Sequence, residues 1–326
     1  MSARIAVLGG GAWGTALAVM LARDDNDVGF FARNEEMVRA INERHENPAY
    51  LPGIRLDPRL TATTSLDAAL AGADCIVSVA PAQAFRDLAR QLDGRIGDAP
   101  VVNCAKGIER DTGKRLSQVL AEVLPNNPAA CLSGPSFATD VARGLPTAVT
   151  VAAGDETLAS DLARMLSAPT FRCYSTDDLV GVEIGGALKN VLAIAAGAVT
   201  GAGLGASAQA AIVTRGFVEL RRLAASYGAR PETLMGLSGL GDLILTCGSA
   251  QSRNFAYGLA LGRGDDRSGL KLAEGVATAD IASRLAADLG VEAPITDAVA
   301  RMLTGELTIA RAMDELLSRP LKAEHQ

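Results

Sequence analysis

Proton chemistry in this sequence has to be sought among lysines. Of the two histidines, His45 sits in the polar run Glu43-Arg44-His45-Glu46 and His325 in the C-terminal tail, and neither position suits a general acid. Lys189 lies in Gly185-Gly186-Ala187-Leu188-Lys189-Asn190-Val191, flanked by apolar residues in a stretch that reads as mostly buried. Burial favours the neutral amine and lowers its pKa, which suits a lysine to proton exchange near neutrality. Lys106 follows the run Val101-Val102-Asn103-Cys104-Ala105, at the C-terminal edge of an expected sheet, where open α/β folds place ligands. The plainer alternatives are a Lys189 that snorkels from a helix edge or pairs with Glu183, and a Lys106 solvated in a turn. Asp242 and Thr246 are spaced i, i+4 among apolar neighbours, so a helix would turn both to one polar face. Ser252-Arg253-Asn254 precedes the helical run Phe255 to Leu261, with Ser252 as a cap and Arg253 and Asn254 at the positive helix end. That is a second anion site or an ordinary capped helix.

The first anion site is Gly9-Gly10-Gly11-Ala12-Trp13-Gly14, which fits G-x-G-x-x-G. It follows the apolar run Ile5 to Leu8 and opens the helical run from Thr15, as a dinucleotide fold requires. Gly9 permits the tight turn, Gly11 lets a pyrophosphate reach the backbone, and Gly14 allows close packing of helix on strand. The helix N-terminus then offers N–H groups to the anion. Where a site selective for NAD would carry a carboxylate, this chain has Arg33 after Phe31-Ala32, and a guanidinium can pair with a 2'-phosphate. Both NADP and NAD remain open.

These groups need a scaffold, and its outline is an α/β fold: a Rossmann-type, mainly parallel sheet domain over residues 1–180, followed by an all-α substrate domain over 181–326. Strands are expected at Ile5-Leu8, Val28-Phe31, Cys75-Val79, Val101-Cys104, Cys131-Ser133 and Ala148-Val151. Helices are expected at Thr15-Arg23, Glu35-Arg44, Ala84-Leu92, Lys114-Leu124 and Leu158-Leu166, with Asn47 to Pro58 as a surface excursion. Beyond about Val180 only helical patterns remain, broken at Gly203, Gly228, Gly248, Gly264 and Gly290. At 326 residues, 48% hydrophobic and 21% charged, the chain is long and apolar enough for two cored domains. A net charge of -6 and a pI near 5.1 give no electrostatic footprint for nucleic acid or an anionic membrane.

The five cysteines show no C-x-x-C pair, so neither a disulfide framework nor a metal site is indicated, and they read as buried thiols of a cytoplasmic protein. Two uncharged stretches imitate membrane signals. Ile5 to Ala22 is split by four glycines into a β-branched half and an Ala/Leu half. Val191 to Val213, with Gly197, Gly201, Gly203 and Gly205, reads as buried helices joined by a glycine-rich break rather than as a span.

Six blocks in order carry a resemblance over essentially the whole chain: Gly9 to Leu17, Ala105-Lys106-Gly107-Ile108-Glu109, Ser133-Gly134-Pro135-Ser136-Phe137-Ala138, Gly185 to Asn190, Gly239-Leu240-Gly241-Asp242-Leu243 and Gln251-Ser252-Arg253-Asn254. They resemble the bacterial NAD(P)-dependent sn-glycerol-3-phosphate dehydrogenases. The resemblance implies interconversion of dihydroxyacetone phosphate and sn-glycerol 3-phosphate, with Lys189 as the general acid/base, for phospholipid synthesis. It implies substrate contacts at Lys106, Gly134, Ser136, Lys189, Asp242, Ser252, Arg253 and Asn254, with Arg253 and Asn254 on the phosphate, and Asn190 and Thr246 are added as neighbours of Lys189 and Asp242 in the sequence pattern. Cofactor contacts are implied at Gly9, Gly11, Ala12, Trp13, Gly14, Arg33, Lys106, Ala138, Arg253, Leu272 and Glu274. A homodimer in the cytoplasm is the further expectation. The nearest rivals are a β-hydroxyacid or 6-phosphogluconate type dehydrogenase, in which an Asn follows the catalytic Lys at a later spacing than Asn190, and a redox-sensing module that binds NADPH without turnover.

Overall fold

The structure, a computed structural model, describes residues 3–24 and 26–320, so His325 lies outside the described residues. The chain divides into two compact units. The first comprises Met1–Gly186 and Gly228–Asp242, the second Ala187–Tyr227 and Leu243–Gln326.

The first unit is built on β1 (Arg4–Leu8), α1 (Ala12–Arg23), β2 (Asp27–Phe31), α2 (Glu35–Arg39), β3 (Ala62–Thr63), α3 (Leu66–Leu70), β4 (Cys75–Ser78), α4 (Phe85–Leu92), β5 (Val101–Asn103), α5 (Leu116–Val123), β6 (Ala129–Ser133), α6 (Ala138–Ala142), β7 (Thr147–Ala153), α7 (Glu156–Leu166) and β8 (Phe171–Thr176). The described strands form one sheet in the order β3-β2-β1-β4-β5-β6-β7-β8. Neighbours pair in parallel except β6 with β7. A parallel sheet is covered on both faces, so its strands need no alternation of apolar and polar residues. In β1 the consecutive residues Ile5, Ala6, Val7 and Leu8 are all at most 1% exposed, Ile5 and Val7 packing on one face and Ala6 and Leu8 on the other. The order reverses between β1 and β4, where open α/β sheets bind ligands at the strands' carboxyl ends.

Several details depart from the sequence reading, the short β3 and α3 being unforeseen. Asn47 to Pro58 is a surface excursion only in part: its three prolines are exposed, but Leu51, Ile54 and Leu56 are buried in the core, and Asn47, fully buried, donates to Gly10 O at 3.1 Å and to Thr15 Oγ1 at 2.8 Å. The expected helix Glu35-Arg44 changes at Ala40 into a π-helical turn, Ala40–Arg44. β8 is an addition to the expected strands, hidden because only part of it is covered; Arg172 and Tyr174 lie outward, the guanidinium 5.1 Å above the phenol ring.

Next come α8 (Leu179–Gly201), α9 (Ala206–Ala225), α10 (Pro231–Met235), α11 (Asp242–Cys247), α12 (Arg253–Arg263), α13 (Glu274–Asp288), α14 (Pro294–Thr304) and α15 (Ile309–Leu317). The division between units falls inside α8, after Gly186. Gly228–Asp242 returns to the first unit, where Asp178 accepts the Arg230 N–H at 2.8 Å and Asp177 pairs with the Arg230 guanidinium. α8 is long and apolar enough to cross a membrane, yet 89% of its most apolar window is buried inside the protein. α9 differs from the expectation of a buried helix: Ala206, Ser207, Ala210 and Ala211 are exposed, and burial sets in only from Gly216.

Within the second unit α8 and α12 cross with their backbones nearly touching. A Cβ on Gly197 would stand 2.2 Å from Phe255 O and one on Gly201 2.2 Å from Leu259 O. Reciprocally, a Cβ on Gly258 would stand 2.1 Å from Ile194 O, and one on Gly262 2.3 Å from Ala198 O. Glycines four apart lie on one helical face, so each helix presents a bare stripe to the other. Those glycines therefore serve packing inside helices.

Candidate active site

Gly9 has φ +130°, closed to most L side chains, and its N–H donates to Phe31 O at 3.0 Å. A Cβ on Gly14 would lie 1.9 Å from Gly9 O, so the first turn of α1 rests directly on the strand-to-helix turn. Gly11 is different. A Cβ there would meet nothing within 4 Å, and Gly11 caps α1 with no side-chain hydrogen bond and no acidic residue in the first turn. Open space, uncapped N–H groups and a positive helix end fit the pyrophosphate of a dinucleotide. Arg33 stands exposed just beyond β2, before Asn34, which accepts the Met37 N–H at 2.8 Å and caps α2. Trp13 is half-buried, its ring 6.4 Å from that of Phe171.

Lys106 follows β5 and Gly134 follows β6, at the same carboxyl edge of the sheet. Lys106 Nζ donates to Gly134 O at 3.2 Å and to Asp242 Oδ2 at 2.5 Å. Asp242 is 2% exposed, so its carboxylate meets the ammonium largely out of water. Gly134 has φ +154°, and a Cβ there would fall 2.8 Å from the Val149 Cα. Ser136 Oγ donates to Gly134 O at 3.0 Å, and Ala138 begins α6. Gly186, at the end of the first unit, brings α8 against Ser133 and the Lys106 stem, where a Cβ would sit 3.2 Å from Ser133 Oγ.

In the second unit Lys189 is 4% exposed and donates to Thr246 Oγ1 at 2.5 Å. The carboxylate of Glu183 is engaged elsewhere: Arg115 and the Ser117 N–H and hydroxyl donate to it at 2.8, 2.7 and 2.6 Å. Burial nonetheless pushes the Glu183 carboxyl above the usual glutamate value. Asn190 and Asn254 meet across the α8–α12 crossing. Asn254 Nδ2 donates to Asn190 Oδ1 at 2.9 Å and Asn254 Oδ1 accepts Gly275 N–H at 2.9 Å. Ser252 Oγ accepts Phe255 N–H at 3.2 Å, the cap the sequence predicts, and Arg253 is exposed at the first position of α12. Glu274 opens α13, with Leu272 58% exposed two residues before it. The sequence reading missed what orients Asn254, namely Gly275 N–H and the two glycine stripes.

The thiols stand apart from this chemistry. Burial pushes Cys104, Cys75 and Cys173 up to about 12. Among the described residues, no group of three or more His, Cys, Asp or Glu side chains is placed to hold a metal.

A Rossmann-type sheet whose first turn fits a pyrophosphate, combined with a buried lysine and a helical domain, defines a dinucleotide-binding dehydrogenase architecture. Residues 4–159 match the NAD-dependent glycerol-3-phosphate dehydrogenase N-terminus family and residues 178–314 the corresponding C-terminus family. The chain is 65% identical over 322 residues to a glycerol-3-phosphate dehydrogenase [NAD(P)+] of Mesorhizobium japonicum, covering 98% of this chain and 94% of the relative. A Brucella ovis protein of the same description is 59% identical over 325 residues, covering 99% of this chain and all of that one. The crystal structure of glycerol-3-phosphate dehydrogenase from Coxiella burnetii superposes with a TM-score of 0.92 at 39% identity, covering 98% of this chain and 99% of that one. The chain belongs to the NAD(P)-dependent glycerol-3-phosphate dehydrogenase family.

Proposed function

We infer that this protein interconverts dihydroxyacetone phosphate and sn-glycerol 3-phosphate with NADPH or NADH, with Lys189 as the general acid/base. The observation that carries Lys189 into that role is its burial at 4% exposure with a hydroxyl, Thr246 Oγ1, as partner. When bound, the reduced nicotinamide supplies the hydride that goes to C2 of the ketone. Negative charge then grows on the carbonyl oxygen, and Lys189 Nζ answers it with positive charge and a proton. In the reverse direction the same amine accepts the proton. Thr246 Oγ1 fixes one N–H direction of Lys189. Lys106 with Asp242, Gly134 and Ser136 contact the substrate's polar end.

Asn190, Ser252, Arg253 and Asn254 hold the phosphate. Ser252 Oγ takes the third N–H of α12, that of Phe255, which leaves the Arg253 guanidinium and the first two N–H groups, of Arg253 and Asn254, for such an anion. Asn254, with Oδ1 and one Nδ2 hydrogen engaged, keeps one donor for it. Binding energy from that remote phosphate orients the reacting carbon, so ketones without a phosphate are poor substrates.

Gly9, Gly11, Ala12, Trp13 and Gly14 cradle the cofactor pyrophosphate, and Arg33 takes the 2'-phosphate of NADP. Lys106, Ala138, Arg253, Leu272 and Glu274 complete the cofactor contacts. The first unit, which runs to Gly186, past the expected boundary at 180, and takes back Gly228–Asp242, acts as the dinucleotide-binding domain, and the second, which holds Lys189, as the catalytic domain. The protein works in the cytoplasm as a homodimer and supplies glycerol phosphate for phospholipid synthesis. Nucleic acid is not among its partners.

The test follows NADPH and NADH oxidation separately with dihydroxyacetone phosphate, using the wild type and Lys189→Ala. Loss of about two to four orders of magnitude in turnover is expected for the variant, with dinucleotide binding retained. Retained turnover would remove Lys189 from its role, and reduction of hydroxyacid precursors in place of the phosphate ester would assign the chain to the rival dehydrogenases.

A further inference from the structure

Lys106 stands in a stretch, residues 104–115, that contains neither helix nor strand. The sheet's last bond here runs from Cys104 N–H to Ser78 O at 2.9 Å, and Asn103 clasps Ala105, its Nδ2 donating to Ala105 O and its Oδ1 accepting Ala105 N–H, each at 3.1 Å; just beyond them Lys106 Nζ reaches Gly134 O and Asp242 at the same time. A side chain on a free loop would sample many other places.

Beyond Lys106 the loop closes on itself through Glu109 N–H to Lys114 O at 3.0 Å and is gripped from α4 and the turn before it. Gln83, in the single 3-10 turn Ala82–Ala84, uses both ends of its amide on the loop backbone: Nε2 donates to Ile108 O at 2.8 Å and Oε1 accepts Arg110 N–H at 3.0 Å. The residue between those two contacts is Glu109. Arg86, at the start of α4, donates from Nε and Nη2 to the two Glu109 carboxylate oxygens, each at 2.7 Å. The same Nη2 donates to Glu122 of α5 at 2.8 Å, and Lys114 pairs with Glu122 as well. Thr112 Oγ1 donates to Glu109 Oε2 at 2.6 Å. Bidentate pairing fixes both the distance and the plane of a carboxylate.

The platform itself is firm, since Phe85, Ala89 and Leu92 of α4 are buried in the core under the sheet, and Ile108 is 2% exposed beside the Gln83 contact. The side-chain hydrogen bonds of Gln83 and Arg86 go to Ile108, Glu109, Arg110 and Glu122 rather than to residues assigned to substrate, so their bearing on the reaction runs through Lys106, three positions before Glu109.

We propose that Gln83 and Arg86 are positioning residues for the reaction, holding residues 108–110 so that the Lys106 ammonium is presented to the substrate. The inference rests on the reading of Lys106 as a substrate contact. The arrangement separates a brace from a reacting group: Arg86 changes how often Lys106 is in place, and Lys106 does the binding.

A double-mutant cycle on the full-length protein tests this, with the KM for dihydroxyacetone phosphate measured in wild type, Lys106→Ala, Arg86→Ala and the double variant. Arg86→Ala is expected to raise KM about tenfold when Lys106 is present and less than twofold when Lys106 is absent, because residues acting through one another are not additive. Millimolar alkylguanidine is expected to restore part of the KM of Arg86→Ala, which a general loss of stability would not allow. If Lys106→Ala leaves KM unchanged, Lys106 is not a substrate contact and the brace falls with it. If Lys106→Ala raises KM but Arg86→Ala acts by the same factor in both backgrounds, or has no effect, the brace alone is overturned. Should Arg86→Ala fail to fold, Gln83→Ala, which removes no charge, runs the same cycle, and its outcomes support or overturn the brace in the same way.

Discussion

Two glycines of one turn make opposite predictions, although a sequence motif treats them alike. At Gly14 an alanine Cβ would lie 1.9 Å from Gly9 O and 2.7 Å from Val79 Cγ2, against ordinary contacts of 3.4–4 Å. The first turn of α1 would have to lift by roughly 1.5 Å, an overpacking that costs about 1–3 kcal/mol. Alanine recovers about 0.8–1 kcal/mol of helix propensity, so Gly14→Ala is expected to lose up to about 2 kcal/mol net and to disturb the turn as well. At Gly11 φ is -70° and an alanine Cβ meets nothing within 4 Å. The poorer N-cap and the smaller unfolded-state entropy offset each other, leaving stability within about 1 kcal/mol of wild type. A dinucleotide pyrophosphate pressed against that backbone, however, would meet the new methyl, and affinity should fall at least about tenfold, the equivalent of about 1.4 kcal/mol. Trp13, the sole tryptophan, lies two residues on, so energy transfer from its emission to bound NADPH reads affinity while thermal unfolding reads stability. Gly11→Ala with unchanged NADPH affinity would refute the placement of the pyrophosphate. Gly14→Ala with unchanged stability would refute the packing argument.

Arg33→Ala should raise the KM for NADPH about ten- to a hundredfold, the loss of one charge-assisted contact, while the KM for NADH stays put; equal changes for both cofactors would separate Arg33 from the 2'-phosphate. Gly258→Ala should lower the unfolding temperature despite alanine's better helix propensity, because its Cβ would enter to 2.1 Å of Ile194 O; it should also raise the substrate KM by drawing Asn254 off Asn190, and an unfolding temperature at or above wild type contradicts this. The Arg86 guanidinium holds the Glu109 carboxyl below the usual glutamate range. A depressed folded pKa contributes stability that is complete above about pH 4.3 and is lost as pH falls through the lower folded value. Arg86→Ala should therefore flatten the acid limb of the stability profile, measured by denaturant unfolding from neutral to acid pH, and an unchanged slope removes that linkage.

What the sequence discloses and what it withholds divide along a physical line. The phosphate turn is legible because its causes are local: Gly9, Gly11 and Gly14 act within one strand-to-helix turn, and the apolar run before them is itself the strand. Lys189 is legible as buried because its own neighbours are apolar. The same local rule misleads at Asn47 to Pro58, where three prolines look like a surface loop while Leu51 and Leu56 supply core, and at β8, whose outward Arg172 and Tyr174 hide the alternation of a half-covered edge strand. It misleads again at Gly197, Gly201, Gly258 and Gly262. Read one helix at a time these are weak points in a helix. Only when α8 and α12 are laid together do their bare stripes become the contact that sets Asn254 beside Asn190, and spacing of four in both helices was the available signal. The pairing of Lys106 with Asp242, 136 residues apart, has no such signal, because it depends on Gly228–Asp242 returning to the sheet unit through Asp177, Asp178 and Arg230. A carboxylate 2% exposed amid Gly, Leu and Ile needs donors that the fold delivers from elsewhere, here the Lys106 ammonium, and a buried acid without a partner in its own segment is the mark to look for in such a chain.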